Sequence, residues 1–148
     1  MSENARAEIR IAAAPAAVYP WLIEPERIGR WIGGTQEMRV LTPPPAGEGT
    51  RMHHVIVQSG RRIEIDARVV TAEPSRRAVL EQRAPGLFDM TMAHDLSERD
   101  GGTLLVTTLE AELRSWAARL AAPLIARQVQ STLEEDLERL RGLVEAGS

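Results

Sequence analysis

The chain has no cysteine and no lysine. Without cysteine there is no disulfide, no thiol nucleophile and no thiolate metal site. Every basic residue is arginine, which reads as a compositional bias and not as a site. The net charge of −3 implies no basic face for nucleic acid. Apolar runs are short, none near the roughly 20 residues that span a bilayer, and residues 1–10 carry no signal-like apolar core. The expectation is cytoplasmic. No Ser-His-Asp spacing, phosphate loop or dinucleotide fingerprint occurs. At 148 residues the expectation is a single domain over 1–148. That size buries about 70 % of the unfolded chain's surface, enough for a core and a cavity.

What is present is organised around residues 115–144. Trp116, Leu120, Leu124, Val129, Leu133, Leu137, Leu140 and Val144 recur mostly at three- or four-residue intervals, an apolar stripe on one side of a helix. Arg119, Arg127, Glu134, Glu135, Glu138, Arg139 and Arg141 fall on the other side. Such a helix is roughly 45 Å long and needs a concave partner for its stripe. Pro123 is expected to kink it or split off its first turns.

The preceding chain supplies that partner as strands. A first strand is read over 7–13, then helical pieces over 16–23, shortened or kinked by Pro20, and over 26–31 after Pro25. Gly33-Gly34 breaks the chain. Six further strands are read over 35–41, 49–58, 61–72, 76–82, 87–97 and 103–113. They are separated by the proline-rich loop 42–47 and by turns at Ser59-Gly60, Pro74-Ser75, Pro85-Gly86 and Asp100-Gly101-Gly102. Short turns between successive strands imply an antiparallel sheet. The fold class is α+β, with about seven curved strands around one long C-terminal helix and two short helices after the first strand.

Several segments resemble the START-like (SRPBCC) superfamily, whose fold is the helix-grip and which includes polyketide cyclases/dehydrases and coenzyme Q-binding proteins. The carriers are Pro15-Ala16-Ala17-Val18-Tyr19 leading through Pro25 to Trp31, Gly47-Glu48-Gly49-Thr50-Arg51, the run from Val69 through Pro74 to Arg77, Asp100-Gly101-Gly102-Thr103, and the helix end from Leu133 to Leu140. The resemblance covers nearly the whole chain. It implies a cavity between sheet and helix for an apolar or amphipathic molecule such as a lipid, isoprenoid or polyketide. Enzymes, carriers and partner-binding regulators share this fold, which does not choose among them.

Strand alternation sends Met52, His54, Ile56, Ile65, Leu80, Gln82, Met90, Met92, His94, Leu105, Thr107 and Leu109 to the inner face as the expected ligand wall. A pocket of several hundred Å³ is expected. An inward His54 or His94 can polarise a ligand carbonyl or act as general base; the plainer role is a satisfied core or rim histidine. His53 and His54 are adjacent, so a one-residue slip exchanges which faces inward. Gln82 and Thr107 can anchor a polar head or sit wet at the rim. Met52, Met90 and Met92 make an adaptable wall or plain core. Trp21 and Trp31 frame an entrance or anchor the short helices, the latter preferred. Arg61-Arg62 and Arg76-Arg77 can grip an anionic head group or form a solvated rim, the latter preferred, and Glu64 and Asp66 read as outward and solvent-facing. No cofactor and no metal are expected. A ligand-binding protein is preferred, ahead of a cyclase/dehydratase with a cavity histidine as base and of a protein-interaction module. The expected assembly is a monomer or homodimer, with no nucleic-acid partner.

Overall fold

A computed structural model describes residues 2–147, with the side chains of residues 2–4 left out of the description. Its seven antiparallel strands are β1 (Ser2–Ile11), β2 (Thr35–Val40), β3 (Arg51–Gln58), β4 (Arg61–Glu73), β5 (Arg77–Ala84), β6 (Phe88–Arg99) and β7 (Gly102–Leu113). They lie in the order β1-β7-β6-β5-β4-β3-β2. The meander follows the turns read from the sequence: Ser59 and Gly60 both take positive φ, as do Asp100 and Gly101. That is the conformation a tight two-residue hairpin requires. Strand β1 begins at Ser2, earlier than the alternation of Ile9 and Ile11 indicates, because it pairs along the length of β7 from Ser2↔Glu112 to Ile11↔Thr103.

Pro15, Pro20 and Pro25 each open a short helix: α1 (Pro15–Val18), α2 (Pro20–Ile23) and α3 (Pro25–Trp31). A proline lacks the N–H that a first turn leaves unpaired anyway, so it starts a helix well and cannot continue one. Trp21 and Trp31 are both buried. The Trp31 indole N–H donates to the Trp21 carbonyl at 2.8 Å, so the tryptophans anchor these helices. Gly34 follows at φ 80, and a Cβ there would lie 2.3 Å from the Val57 carbonyl oxygen. Only glycine fits this approach of the α3–β2 link to β3.

The C-terminal stripe divides into α4 (Trp116–Leu120) and α5 (Ala122–Glu145), with Pro123 in the first turn of α5. Val129, Leu133, Leu137, Leu140 and Val144 belong to the core. Trp116, Leu120 and Leu124 do not: they are 73 %, 75 % and 69 % exposed. This corrects the continuous stripe. The helix restarts at the proline, and these three side chains are left uncovered. The packed half of α5 is fastened to both sheet edges. Gln130 exchanges hydrogen bonds with the Arg6 backbone on β1. Asp136 accepts the Gly33 N–H at 3.0 Å, beside β2. Arg139 donates to the Trp31 carbonyl at 2.9 Å and to Asp136 at 2.8 Å.

Candidate functional site

Because only the second half of α5 packs closely, the concave face is left partly unfilled. A cavity of about 470 Å³ lies between the sheet and α5. Its sheet wall contains Met52, His54, Ile56, Ile65, Leu80, Gln82, Met90, Met92, His94 and Leu109. Leu22, Ile28 and Trp31 close it from the short helices, and Ile125, Val129, Thr132, Leu133 and Asp136 from α5. The exposed wall residues Ser59, Arg61, Arg62, Leu124 and Gln128 mark the mouth, between the β3–β4 turn and the start of α5. The small residues Ala118 and Ala126 line this region too.

Ten of the twelve residues assigned to the wall from strand alternation therefore line the cavity. Leu105 and Thr107 do not. Both point to the same side of the sheet, but both are fully buried behind the wall. Thr107 faces His94 across the β6–β7 pairing, and its Oγ1 lies 2.8 Å from His94 Nδ1. It is thus not a wet rim residue, and its hydroxyl is engaged with His94. The adjacent histidines are resolved as well. His54 is buried on the cavity side, while His53 points outward. There His53 lies 2.9 Å from Asp66 and 3.0 Å from Glu64. Those two carboxylates, read from the sequence as solvent-facing, are exposed but engaged. The hydrogen bond to Asp66 chiefly, with a smaller one to Glu64, raises the His53 pKa.

His54 Nε2 is 2.8 Å from Thr35 Oγ1. The contact is diagonal, because a bulge in β2 shifts the register between Thr35 and Glu37. His94 stacks edge-on against Trp31, with ring centroids 5.9 Å apart. Burial pulls the pKa of both rings down to about 4, helped at His54 by the neighbouring His53. Both are neutral at pH 7. Gln82 offers its amide to Met92 Sδ at 4.0 Å, a weak contact that leaves most of its hydrogen-bonding capacity unused.

The sequence reading missed Asp136. Burial raises its carboxyl pKa, opposed by the Gly33 N–H and by Arg139. A signal for it exists: Asp136 is three residues after Leu133 and four before Leu140, on the buried face. Among the described residues no cluster of three or more histidine, aspartate or glutamate side chains is arranged to hold a metal ion. Among them, too, no helix is long and apolar enough to cross a membrane.

A sequence profile described as polyketide cyclase/dehydrase and lipid transport matches residues 2–145. A search of curated protein sequences finds no match. Among solved structures, the Zhui aromatase/cyclase of Streptomyces sp. R1128 superposes with a TM-score of 0.83 at 16 % identity, covering 98 % of this chain and 94 % of that one. A protein of Thermus thermophilus gives 0.80 at 23 % identity, covering 98 % and 99 %. The di-domain aromatase/cyclase StfQ of the steffimycin biosynthetic pathway gives 0.81 at 15 % identity, covering all of this chain and 53 % of its own. At these identities the likeness is one of fold.

Proposed function

The chain belongs to the polyketide cyclase/dehydrase and lipid transport family, and from that premise we propose that it is a binding protein for a neutral, largely apolar small molecule held between the sheet and α5. The observation that carries this reading is the cavity itself. Its volume of about 470 Å³ falls within the range of about 300–1,000 Å³ usual for small-molecule sites. Its wall is mostly aliphatic, sulfur-containing and aromatic, with a few polar atoms placed among them. The methionines at 52, 90 and 92 adapt to varied ligand shapes.

The competing reading is a cyclase/dehydratase that uses His54 or His94 as base. The family description includes that activity, but the electrostatics weigh against it here. A general base works best with a pKa near the operating pH, and both imidazoles are held at about 4. Among the described residues no carboxylate is hydrogen-bonded to either ring; each has a threonine hydroxyl. These are groups suited to orienting a ligand. An interaction module without a ligand would have little use for a cavity of this size.

Mass spectrometry of small molecules co-purifying under native conditions tests for an occupant. Met92→Trp tests the location by filling the cavity. The variant is expected to fold and to bind the apolar fluorophore diphenylhexatriene at least about tenfold more weakly than the parent, a difference of about 1.4 kcal/mol. Unchanged binding in a folded Met92→Trp protein refutes the site. Turnover of a polyketide-like substrate that His94→Ala abolishes, with binding retained, moves the reading to the enzyme.

A further inference from the structure

The proton positions in the cavity wall limit what the ligand's polar group can be. Thr35 has a single hydroxyl hydrogen, and its Oγ1 lies 2.8 Å from the Ile32 carbonyl oxygen. A carbonyl only accepts, so the Thr35 hydroxyl donates there. The same oxygen is 2.8 Å from His54 Nε2. With its own hydrogen committed, Thr35 can only accept from the ring. His54 therefore carries its proton on Nε2, and Nδ1 is left as a bare lone pair. Nδ1 has no hydrogen-bond partner among the described residues, yet no buried side-chain nitrogen or oxygen there lacks one. Nδ1 is therefore accessible, and His54 is part of the cavity wall.

The donor-only guanidinium groups of Arg61 and Arg62 stand at the exposed mouth, and the polar groups deeper in the wall do not offset this preference. Asp136 Oδ1 is occupied by the Gly33 N–H and Arg139; its second oxygen, like any carboxylate oxygen, only accepts. Among the described residues Thr107 has no side-chain partner other than His94, so its hydroxyl can donate to or accept from Nδ1. His94 can then present either tautomer and does not discriminate. The Gln82 amide offers both a donor and an acceptor. Of the two cavity histidines only His54 is locked, and it is locked as an acceptor.

Resting on the reading that the cavity holds a small molecule, we propose that His54, fixed by Thr35, selects ligands that present a hydrogen-bond donor: a phenol or an alcohol in preference to a ketone, quinone or ether. A ligand with only acceptors meets the Nδ1 lone pair with a lone pair of its own and leaves it unpaired. A hydroxyl satisfies it. The ring is neutral in the working range, so it offers no counter-charge to a carboxylate.

Displacement of diphenylhexatriene, a hydrocarbon without polar atoms, separates this inference from the reading beneath it. The competitors are 2-naphthol and its methyl ether, which share one skeleton and differ in the donor. For the parent protein, naphthol is expected to displace the fluorophore at about fivefold to tenfold lower concentration, the worth of one net hydrogen bond. In Thr35→Val this ratio should fall toward one while the fluorophore itself still binds, and in His54→Phe the ratio should fall toward one whatever the change in fluorophore affinity. Thr35→Val keeps the imidazole and removes only the group that fixes its proton, so it stands if the ring replacement fails to fold. Ring ¹⁵N spectra of the parent should place the proton on Nε2 of His54. Equal displacement by the two competitors, a ratio that survives both substitutions, or a proton on Nδ1 overturns the inference while leaving the cavity intact. Absence of fluorophore binding to the parent overturns the cavity reading and this inference with it.

Discussion

Lowering the pH from 7.5 to 5.0 should cost this protein several kcal/mol, and two buried imidazoles are the source. His54 and His94 each have a folded-state pKa of about 4 against an ordinary value of 6.5. Between those values the unfolded chain binds a proton that the folded chain refuses. Stability from each ring is therefore fully present above about pH 6.5 and falls as the pH drops toward 4, below which both states are protonated and the loss stops. At pH 5 the linkage relation gives about 2 kcal/mol per ring, hence about 4 kcal/mol for the pair. His53 acts in the opposite sense, since its pKa is raised, mainly by Asp66. So does Asp136, raised by burial. The total slope is a mixture, and the variants resolve it. His94→Gln preserves an amide able to reach Thr107 but cannot titrate. Urea unfolding at pH 7.5, 6.5, 5.5 and 5.0, followed by fluorescence of the buried Trp21 and Trp31, gives the free energies. The parent should lose stability steeply below pH 6.5. His94→Gln should remove up to about 1.4 kcal/mol per pH unit from the slope, and His54→Gln a similar amount. A parent curve flat from pH 7.5 to 5.0, or slopes unchanged in both variants, refutes the assignment of these rings as buried and neutral.

Four further substitutions check the framework. Leu137→Ala, fully buried on α5, should cost about 2–5 kcal/mol, whereas Leu120→Ala on exposed α4 should stay within about 0.5 kcal/mol; equal denaturation midpoints for the two would show that the helix faces are wrongly assigned. Gly102→Val should lower Tm sharply, because a Cβ there would lie 2.6 Å from the Ile11 carbonyl oxygen, and a valine variant as heat-stable as the parent would contradict that approach. Asp136→Ala should cost about 1–3 kcal/mol by leaving the Gly33 N–H and Arg139 without their carboxylate; a parent-like urea midpoint would show that the link between α5 and the α3–β2 junction contributes little.

The sheet was readable in the sequence because each of its devices is local. Alternation over Ile63, Ile65, Ala67 and Val69 marks a half-buried strand, and these four do face one side. Ser59-Gly60 and Asp100-Gly101 announce hairpins, and both pairs take positive φ. Pro15 and Pro25 open short helices for reasons contained in the proline ring, while Pro20, read as shortening or kinking the first of two helices, opens a third of its own. Most strand boundaries differ by a residue or two from the reading, but β1, read over 7–13, spans Ser2–Ile11, because pairing with β7 extends it five residues beyond its own pattern. The exposed α4 was less readable. Trp116, Leu120 and Leu124 keep a helical period, but periodicity records a face and not the presence of something to cover it.

The site's chemistry depends on contacts that cross elements, and these have no local signature. Alternation places His54 and Thr107 on the inner side of their strands. It does not say that Thr107 stops behind His94 or that a bulge in β2 carries Thr35 to His54. The second contact decides the matter. Had Thr35 lain in regular register, its hydroxyl would not be shared between the Ile32 carbonyl and the imidazole, and His54 could present either a donor or an acceptor. One inserted residue thus converts an adaptable ring into a fixed acceptor. Asp136 makes a similar point from the helix. In Glu134-Glu135-Asp136 it looks like one more solvated acid, and only its phase with Leu133 and Leu140 turns it inward. Once there, it needs the Gly33 N–H and Arg139 to offset its burial, and those partners bind α5 to the segment that leads into β2. The same carboxylate therefore fastens the helix and lines the cavity, so a ligand that reaches Asp136 also touches the fastening of the helix that encloses it.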